Sequence, residues 1–404
     1  MPPSATAVEK RGVSMKFLHT SDWHIGKVLK GHNRLDEQRA VLREIVRVAR
    51  DHRVDAVLVA GDLYESSAPS AQAQQLLVQT LLALRRTGAE VIAIAGNHDH
   101  AATFDAYRPL MASAGITLAG TARPAADGGV VEFTARSTGE PVAVALLPFL
   151  ARRHAVRAAQ LVTETPREAA TGYGRLVRDL LAALTAGFRD DTVNLVMAHL
   201  TAAGGKLGGG ERSAQSVLEY WVPTSAFPPD AHYVALGHLH RRQSLPAPCP
   251  VHYCGSPITL DFGEENDSTV VLVVEAEVGT PTRVTAEVPI GSGRRLRTVR
   301  GTVDEVTQRA EEFGDDYLRV LLCEPARAGL RQDVQRLLPN ALEVRIDPGF
   351  AAPVHTTGPS PPADGADRSP AELFHAYCIA RGIADERVEA LFTRLHDQAT
   401  AMHA

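Results

Sequence analysis

The sequence predicts an α/β sandwich over residues 15–280, a small α+β unit over 281–348 and, after a linker at 349–370, a helical tail over 371–404. Three observations predict it. Short apolar runs alternate with segments of helical periodicity as far as residue 275. Five of those runs end in Asp, Asn or His. Beyond them the polar clusters stop, and a stretch rich in Pro and Gly divides two further periodic regions.

Residues 1–14, MPPSATAVEKRGVS, lack the apolar centre of a secretory signal and are expected to be a disordered leader, with Met15 an alternative start. KFLHTSD is a short strand, and 35–52 carry apolar positions at helical spacing. VDAVLVAGD is a buried strand, and SAQAQQLLVQTLLALRRTG a helix with Pro69 and Ser70 at its start and Gly88 at its end. EVIAIAGNHD, PVAVALLPF, TVNLVMAHL, HYVALGHLH, VHYCGSP and TVVLVVEAE are further strands, with a helix at about 166–187. The small unit opens with the strand RVTAEVPI and continues as helix VDEVTQRAEEF, strand YLRVLLCE, helix LRQDVQRLL and strand LEVRID. The linker GFAAPVHTTGPSPPADGADRSP is too rich in Pro, Gly and Ser for regular structure. AELFHAYCIARG and DERVEALFTRLHDQATAM are the tail helices.

Composition sets bounds on function. With 45% hydrophobic and 22% charged residues, the chain is that of an ordinary globular protein. No apolar run approaches the roughly 18 residues of a membrane span. Cys249, Cys254, Cys323 and Cys378 form no CxxC pair and are expected to be reduced thiols of a cytoplasm. The net charge of −5 means that binding to nucleic acid needs local basic patches, bound metal or a basic partner.

The strand ends carry the chemistry. They read Asp22-x-His24, Gly61-Asp62, Gly96-Asn97-His98-Asp99, His199 and Gly237-His238-x-His240. Ligands gather at the carboxyl ends of strands in open α/β folds, and residues two apart in an extended segment share a face. Any one of these residues alone is ordinarily a hydrogen-bonded turn or surface group. Five in succession supply two carboxylates, an amide oxygen and four imidazoles, with His98 a fifth. That exceeds one tetrahedral zinc site and suits two divalent ions, bridged by Asp62, which stands alone at its strand end. Mixed Asp, His and Asn donors favour manganese, iron or zinc over magnesium. His19, His32, His52, His154 and His252 have no such company and default to structural or surface positions, and His100 lies just outside its motif.

In D-x-H, G-D, G-N-H-D, H and G-H-x-H, all present and in order, the sequence resembles the calcineurin-like metallophosphoesterase superfamily, whose fold is a β-sandwich flanked by helices. FLHTSDWHIGK, GDLYESSAPS, AHLTAAGG, ALGHLHRRQ and YCGSPITLDFGE are similar to the bacterial branch of its Mre-type nucleases, which adds a capping domain (281–348) and a partner-binding helical tail (371–404). The resemblance implies one ion on Asp22, His24, Asp62 and His240, a second on Asp62, Asn97, His199 and His238, and a catalytic His98 that is not a ligand. It also implies manganese, 3′-to-5′ exonuclease action on double strands and endonuclease action on single strands and hairpins. The setting it implies is DNA end processing, repair, recombination and replication in the cytoplasm, associated with the nucleoid. The partners it implies are a second nuclease subunit and an SbcC-type ATPase with a coiled coil, together a heterotetramer. Mre-type nucleases carry a second functional His three residues after the motif-II Asp, where this chain has Glu65. The bacterial branch has an acidic residue there, and Glu65 is left out of the expected site.

Other expectations follow from residue chemistry. His98 is placed to act as general acid on the leaving oxygen, a role worth about 10²–10⁴-fold. Asp99 is expected to support the site by a hydrogen bond toward a ligand, since neighbouring strand residues face opposite ways and Asp99 orients His98 poorly. Lys27, Arg34, Arg152, Arg153, Arg241 and Arg242, with Arg157, are candidates for holding the DNA backbone. The loop GGKLGGGERS (204–213) is too dense in glycine for a helix and is expected to be mobile beside the site. The chain has no Walker A sequence, so ATP dependence would come from the partner, docked on Leu373, Phe374, Tyr377, Leu391, Phe392 and Leu395. A protein phosphatase would carry GDxVDRG where this chain has GDLYESS. A vestigial DNA-end-binding subunit would have lost some of the five motifs.

Overall fold

The computed structural model describes residues 14–151, 166–209 and 221–350, with helical residues 374–375, 377–379, 387–388 and 390–394. Residues 1–13 of the expected leader, Arg152, Arg153, His154, Arg157, residues 210–213, linker residues 351–370, Leu373 and Leu395 lie outside the described residues.

Apolar runs flanked by helices form strands buried on both faces, because each face has a layer to pack against. From the amino end these are β1 (Met15–Thr20), the ribbon β2 (Val28–Leu29) and β3 (His32–Asn33), α1 (Leu35–Asp51), β4 (Ala56–Val59), α2 (Ala71–Arg85), β5 (Glu90–Ile94), α3 (Ala101–Ser113) and β6 (Ile116–Ala119). Next come β7 (Val130–Thr134), β8 (Pro141–Leu147), α4 (Pro166–Thr185), β9 (Val193–His199), β10 (Thr201–Ala202), β11 (Trp221–Val222), β12 (Tyr233–Gly237), β13 (Gln243–Leu245), β14 (Val251–Tyr253), β15 (Val270–Glu277) and β16 (Thr280–Pro289). One six-stranded sheet runs β16-β15-β1-β4-β5-β6 and the other β13-β14-β12-β9-β8-β7. Strands β1, β4, β5 and β6 are parallel, as are β8, β9, β12 and β14, so the ligand-bearing strands of each sheet end together.

Alternation along each strand sorts side chains between cores. Phe17, Leu58, Ile92 and Val274 face Val144, Leu195, Met197 and Tyr233 between the sheets. Their neighbours Leu18, Val57 and Val91 pack outward with Ile45 of α1 and Leu81 of α2. On the second sheet Val196 and Leu236 cover Val177 and Leu181 of α4. Ser70 caps α2 by accepting from Ala73 N at 3.2 Å, and acidic Asp36 and Glu37 occupy the first turn of α1. No helix among the described residues is long and apolar enough to cross a membrane.

One expected boundary moves. The sequence pattern puts RVTAEVPI in the small unit, but β16 pairs antiparallel with β15 as the edge of the first sheet. The short connection at Val278–Gly279 makes a hairpin, and hairpin strands stay in one sheet. The small unit therefore starts with a strand that the pattern does not anticipate, β17 (Leu296–Gly301), parallel to β18 (Tyr317–Leu322), with β19 (Ala341–Ile346) completing the sheet. Its helices are α5 (Val303–Gln308), α6 (Ala310–Phe313) and α7 (Leu330–Leu337). A capping box between Thr302 and Glu305 starts α5. In the tail, Phe374 stacks on Phe392 at 4.0 Å, Cys378 is buried, and Tyr377, Ile379 and Leu391 are exposed.

His19 is fully buried between the sheets, with Nδ1 3.1 Å from the Tyr233 hydroxyl and Nε2 3.1 Å from Leu236 O. Burial, reinforced by His252, lowers its pKa to about 3. Below the unfolded value the unfolded chain takes up a proton that the fold excludes, so stability falls as pH falls through that window. Gln at position 19 can accept from Tyr233 and donate to Leu236 without titrating. We expect His19→Gln to reduce the stability lost between about pH 6 and about pH 5 by roughly 1.4 kcal/mol, read from urea midpoints of chelator-treated protein.

Candidate metal centre

Six non-glycine residues among those described have left-handed backbone, and four are Asp22 (φ 55°), His24 (46°), Asp62 (52°) and His238 (101°). Each such conformation costs on the order of 1–3 kcal/mol and persists only where its surroundings over-determine it. Here they do. Asp22 N donates to Gly61 O at 2.9 Å, His24 N to Asp62 O at 3.0 Å, and His238 N to the Asp22 carboxylate at 3.1 Å. The strand-end glycines are needed for room. A Cβ on Gly61 would stand 2.2 Å from His199 Nδ1, and one on Gly96 2.2 Å from Asp62 Oδ1. The G-D and G-N-H motifs thus record close approach as well as turn geometry.

These ends bring seven expected donors together. Three groups of side chains place ligand atoms within 4.8 Å of one another: Asp22, His24 and His240; His24, Asp62 and His98; and Asp62, His199 and His238. Asp62 Oδ2 lies 3.7 Å from His24 Nε2 and 3.4 Å from His199 Nε2, between the first group and the last. Asn97 Oδ1 lies 2.9 Å from His199 Nε2 and 2.8 Å from His238 Nδ1. His24 Nε2 is buried with no hydrogen-bond partner, an arrangement that costs free energy unless a cation takes its lone pair. The donor set and this orphaned nitrogen fit divalent ions.

The groups that orient the donors were mostly missed from sequence. His24 Nδ1 lies 3.0 Å from Glu65 Oε2, and the Glu65 carbonyl accepts from His98 Nδ1 at 2.7 Å. Glu65, left out of the expected site, therefore sets both rings, and Lys27 Nζ donates to its other oxygen at 3.1 Å. His240 Nδ1 lies 2.7 Å from Glu264 Oε1, and His199 Nδ1 2.8 Å from Ala60 O. Such contacts fix the ring and its tautomer and raise the basicity of the other nitrogen. Only the acidic character at position 65 was visible in advance. Backbone carbonyls carry no sequence signal, and Glu264 is remote in sequence from the residue it holds.

Asp99 differs from expectation. Its carboxylate accepts from Gly96 N at 2.8 Å, Tyr64 N at 2.9 Å and Leu63 N at 3.1 Å. It clamps the loop after β4 to the loop after β5, acting on the backbone that carries Asp62 and Asn97 rather than on a ligand side chain. The His100 ring lies against its own helix start, with Nδ1 2.7 Å from Thr103 Oγ1.

The electrostatics follow from burial beside paired charges. Burial pushes Asp62 up, but His199, His24 and His98 outweigh it and hold it well below the ordinary carboxylate range. Burial pulls His199 down, but Asp62 and Asp22 win and raise it to about 9. Burial holds His24 at about 4, so it is a neutral donor at pH 7, and pushes Asp22 up to about 6. Glu65 resists burial through His24 and Lys27 and is held at about 2. An ion on His199 would displace a proton that the ring otherwise holds, so metal uptake there would release a proton.

The basic candidates divide. The Arg34 side chain is 0% exposed, bonded to Glu37 at 2.6 Å and to Thr259 O, with its guanidinium 5.7 Å from the Tyr317 ring. It is an internal brace and not a DNA contact. The charge on an arginine does not reveal pairing, although Glu37 three residues on was a warning. Arg242 is paired with Glu287 at 2.7 Å and largely covered. Arg241, 48% exposed beside Asp267, and Lys27 remain near the site with reach to solvent. The Gly-rich loop is pinned at Lys206, whose backbone exchanges bonds of 2.7 and 2.8 Å with Gln243.

The family model for calcineurin-like phosphoesterases matches residues 15–242. The chain belongs to that class, as its sandwich and its strand-end donors indicate. It is 35% identical over 288 residues, 70% of this chain and 71% of the other, to SbcD, the nuclease component of SbcCD, from Bacillus subtilis strain 168. Proteins of the same name from Escherichia coli K12 and Rhodobacter capsulatus are 30% identical over 315 residues (74% of each chain) and 35% identical over 261 (62% and 64%). Within its class the chain belongs to the SbcD family.

Asp99→Ala would leave three buried N–H groups without their acceptor, at about 1–3 kcal/mol each before relaxation. We expect a loss of at least about 3 kcal/mol in the chelated protein, read by urea denaturation, where an Asp99 that merely faced solvent would cost almost nothing.

Proposed function

We propose that the chain is a dimetal nuclease subunit that hydrolyses DNA phosphodiesters. Asp22, His24, Asp62 and His240 hold one divalent ion, and Asp62, Asn97, His199 and His238 hold the other. The observation that carries this is Asp62 Oδ2, set between His24 Nε2 at 3.7 Å and His199 Nε2 at 3.4 Å. Mixed carboxylate, amide and imidazole donors suit manganese, iron or zinc better than magnesium, and manganese is the ion of this proposal. When bound, such a pair supplies Lewis acidity to phosphoryl oxygens and lowers the pKa of water toward neutrality.

The chain's own residues do the rest. His98 shares Nδ1 with the Glu65 carbonyl, so that nitrogen keeps its proton and the imidazolium presents Nε2–H. His98 passes that proton to the leaving 3′-oxygen, and the Glu65 bond fixes the angle at which it does so. Lys27 and Arg241 meet backbone phosphates at the rim. The relatives named as nucleases support nucleic acid as substrate, and the chemistry extends to 3′-to-5′ removal from double-strand ends and to endonuclease cutting of single strands and hairpins.

The same relatives are named as parts of an SbcCD assembly, which supports a coiled-coil SbcC-type ATPase as partner. With two nuclease subunits the assembly is a heterotetramer in the cytoplasm, at the nucleoid, serving DNA repair and recombination. Exposed Tyr377, Ile379 and Leu391 in the tail helices offer apolar anchors for that partner.

Purified protein should cleave hairpin and double-stranded DNA ends with manganese, more strongly with the ATPase present, and leave a simple phosphomonoester nearly untouched. His98→Ala should retain both ions yet lose about 10²–10⁴-fold in cleavage, whereas Asp62→Ala should lose metal as well. Metal analysis decides, since loss of both ions from the His98 variant would make that residue a ligand. Deleting 371–404 should abolish ATPase binding while sparing manganese-dependent cleavage by the isolated chain; unchanged co-purification would remove the tail from the interface.

A further inference from the structure

His240 is held differently from its fellow donors. His24 and His199 are oriented by Glu65 and the Ala60 carbonyl, which adjoin other donors at the ends of the first sheet's strands. His240 is oriented by Glu264, and both side chains are almost fully covered. The second oxygen of Glu264 accepts from Leu260 N at 2.8 Å. Glu264 closes a single 3₁₀ turn, Phe262–Glu264, whose start is capped by Asp261 accepting from Gly263 N at 3.1 Å. So short and doubly bonded a turn moves as one piece.

The turn is gripped by the small sheet. Phe262 is buried among Leu29, Leu296 and Tyr317, and the Arg319 guanidinium lies 5.2 Å from its ring centre. Glu265 Oε2 accepts from Thr298 N at 2.7 Å and from Thr298 Oγ1 at 2.6 Å, and Arg319 Nε donates to that hydroxyl at 2.9 Å. Upstream, the Thr259 carbonyl is held by Arg34, whose guanidinium, like that of Arg294, lies against the Tyr317 ring. Leu296, Thr298, Tyr317 and Arg319 all belong to β17 and β18. The residues either side of Glu264 are thus fixed to the small sheet while Glu264 itself is fixed to His240.

We propose that segment 259–265 is a strut through which the position of the small sheet sets the aim of His240, and so the affinity for the ion that His240 helps to hold. The inference rests on the two-ion reading above. Glu264 is a positioning residue, because it aligns the imidazole and touches neither ion nor substrate. A shift of the small sheet against the sandwich draws on Phe262 and Glu265 together, turns the carboxylate of Glu264 and swings the donor nitrogen of His240. His240, the ligand that Glu264 holds, belongs to the first ion and not the second, so the two ions respond unequally.

Manganese titration of the full chain, by calorimetry with metal analysis, tests this in Glu264→Ala, Glu264→Gln, Glu265→Ala and Arg319→Ala. Glu264→Ala should weaken one of the two ions by about 10–100-fold and spare the other, with Gln, which keeps an acceptor for His240, restoring most of the loss. Glu265→Ala and Arg319→Ala, which touch no ligand, should weaken the same ion by about tenfold, at the low end of that range. Two unaltered manganese affinities in both of the latter variants would overturn the strut, as would equal weakening of both ions by Glu264→Ala. Wild-type protein that takes up no manganese would instead overturn the two-ion reading, and the strut with it.

Discussion

The structure turns on one buried carboxylate. Asp62 is 1% exposed, where an uncompensated charge costs several kcal/mol. Its Oδ1 accepts from His98 N at 2.8 Å, and its Oδ2 faces His24 and His199 from opposite sides. Each neighbour is placed by this requirement. Gly96 has no side chain because Asp62 occupies the space, Asp99 secures the loop that delivers His98 N, and the left-handed turn at Asp62 aims the group back across the strand ends. The parallel register of β1, β4 and β5 supplies three such ends at one level, and the second sheet supplies two more.

This constraint explains what was legible in the sequence. Side chains that must be Asp, Asn or His at strand ends are visible as motifs, and the alternation of apolar runs exposes the strands beneath them. The pieces that tune those side chains were not visible, for physical reasons. Ala60 and Glu65 act through carbonyl groups that every residue possesses. Glu264 acts from a turn whose position depends on how the small sheet packs, which no local pattern encodes. Arg34 stood out as a charge, and its burial came from Glu37, Thr259 and Tyr317 together. β16 reads as part of the following unit, although the tight turn at Gly279 and the alternating pattern TPTRVTAEVP mark it as the second arm of a hairpin.

The clamp by Asp99 shows how polar burial serves the site without joining it. Burial and the nearby Asp62 charge push its carboxyl up to about 7, while three N–H donors pull the other way. The carboxyl group is tolerated because it takes the place of water as acceptor for three buried backbone N–H groups. The motif residue next to His98 is thereby part of the scaffold, and His98 takes its orientation from the neighbouring strand end, through Glu65.

The two sets of donors are unequal in charge, and this bears on how they divide the work. Asp22, His24 and His240 are joined by a carboxylate of their own and are oriented by two more, Glu65 and Glu264. Asn97, His199 and His238 bring a neutral amide, and His199 is supported by a neutral carbonyl. Asp62 is common to both. Negative charge in a buried pocket would hold a cation more firmly. An ion in the second set would be left with more uncompensated positive charge, which an anionic phosphate oxygen is suited to neutralise. The asymmetry would favour an anionic ligand on the Asn97 side over the Asp22 side, where the His98 ring, oriented from Glu65, lies 4.6 Å from that of His24.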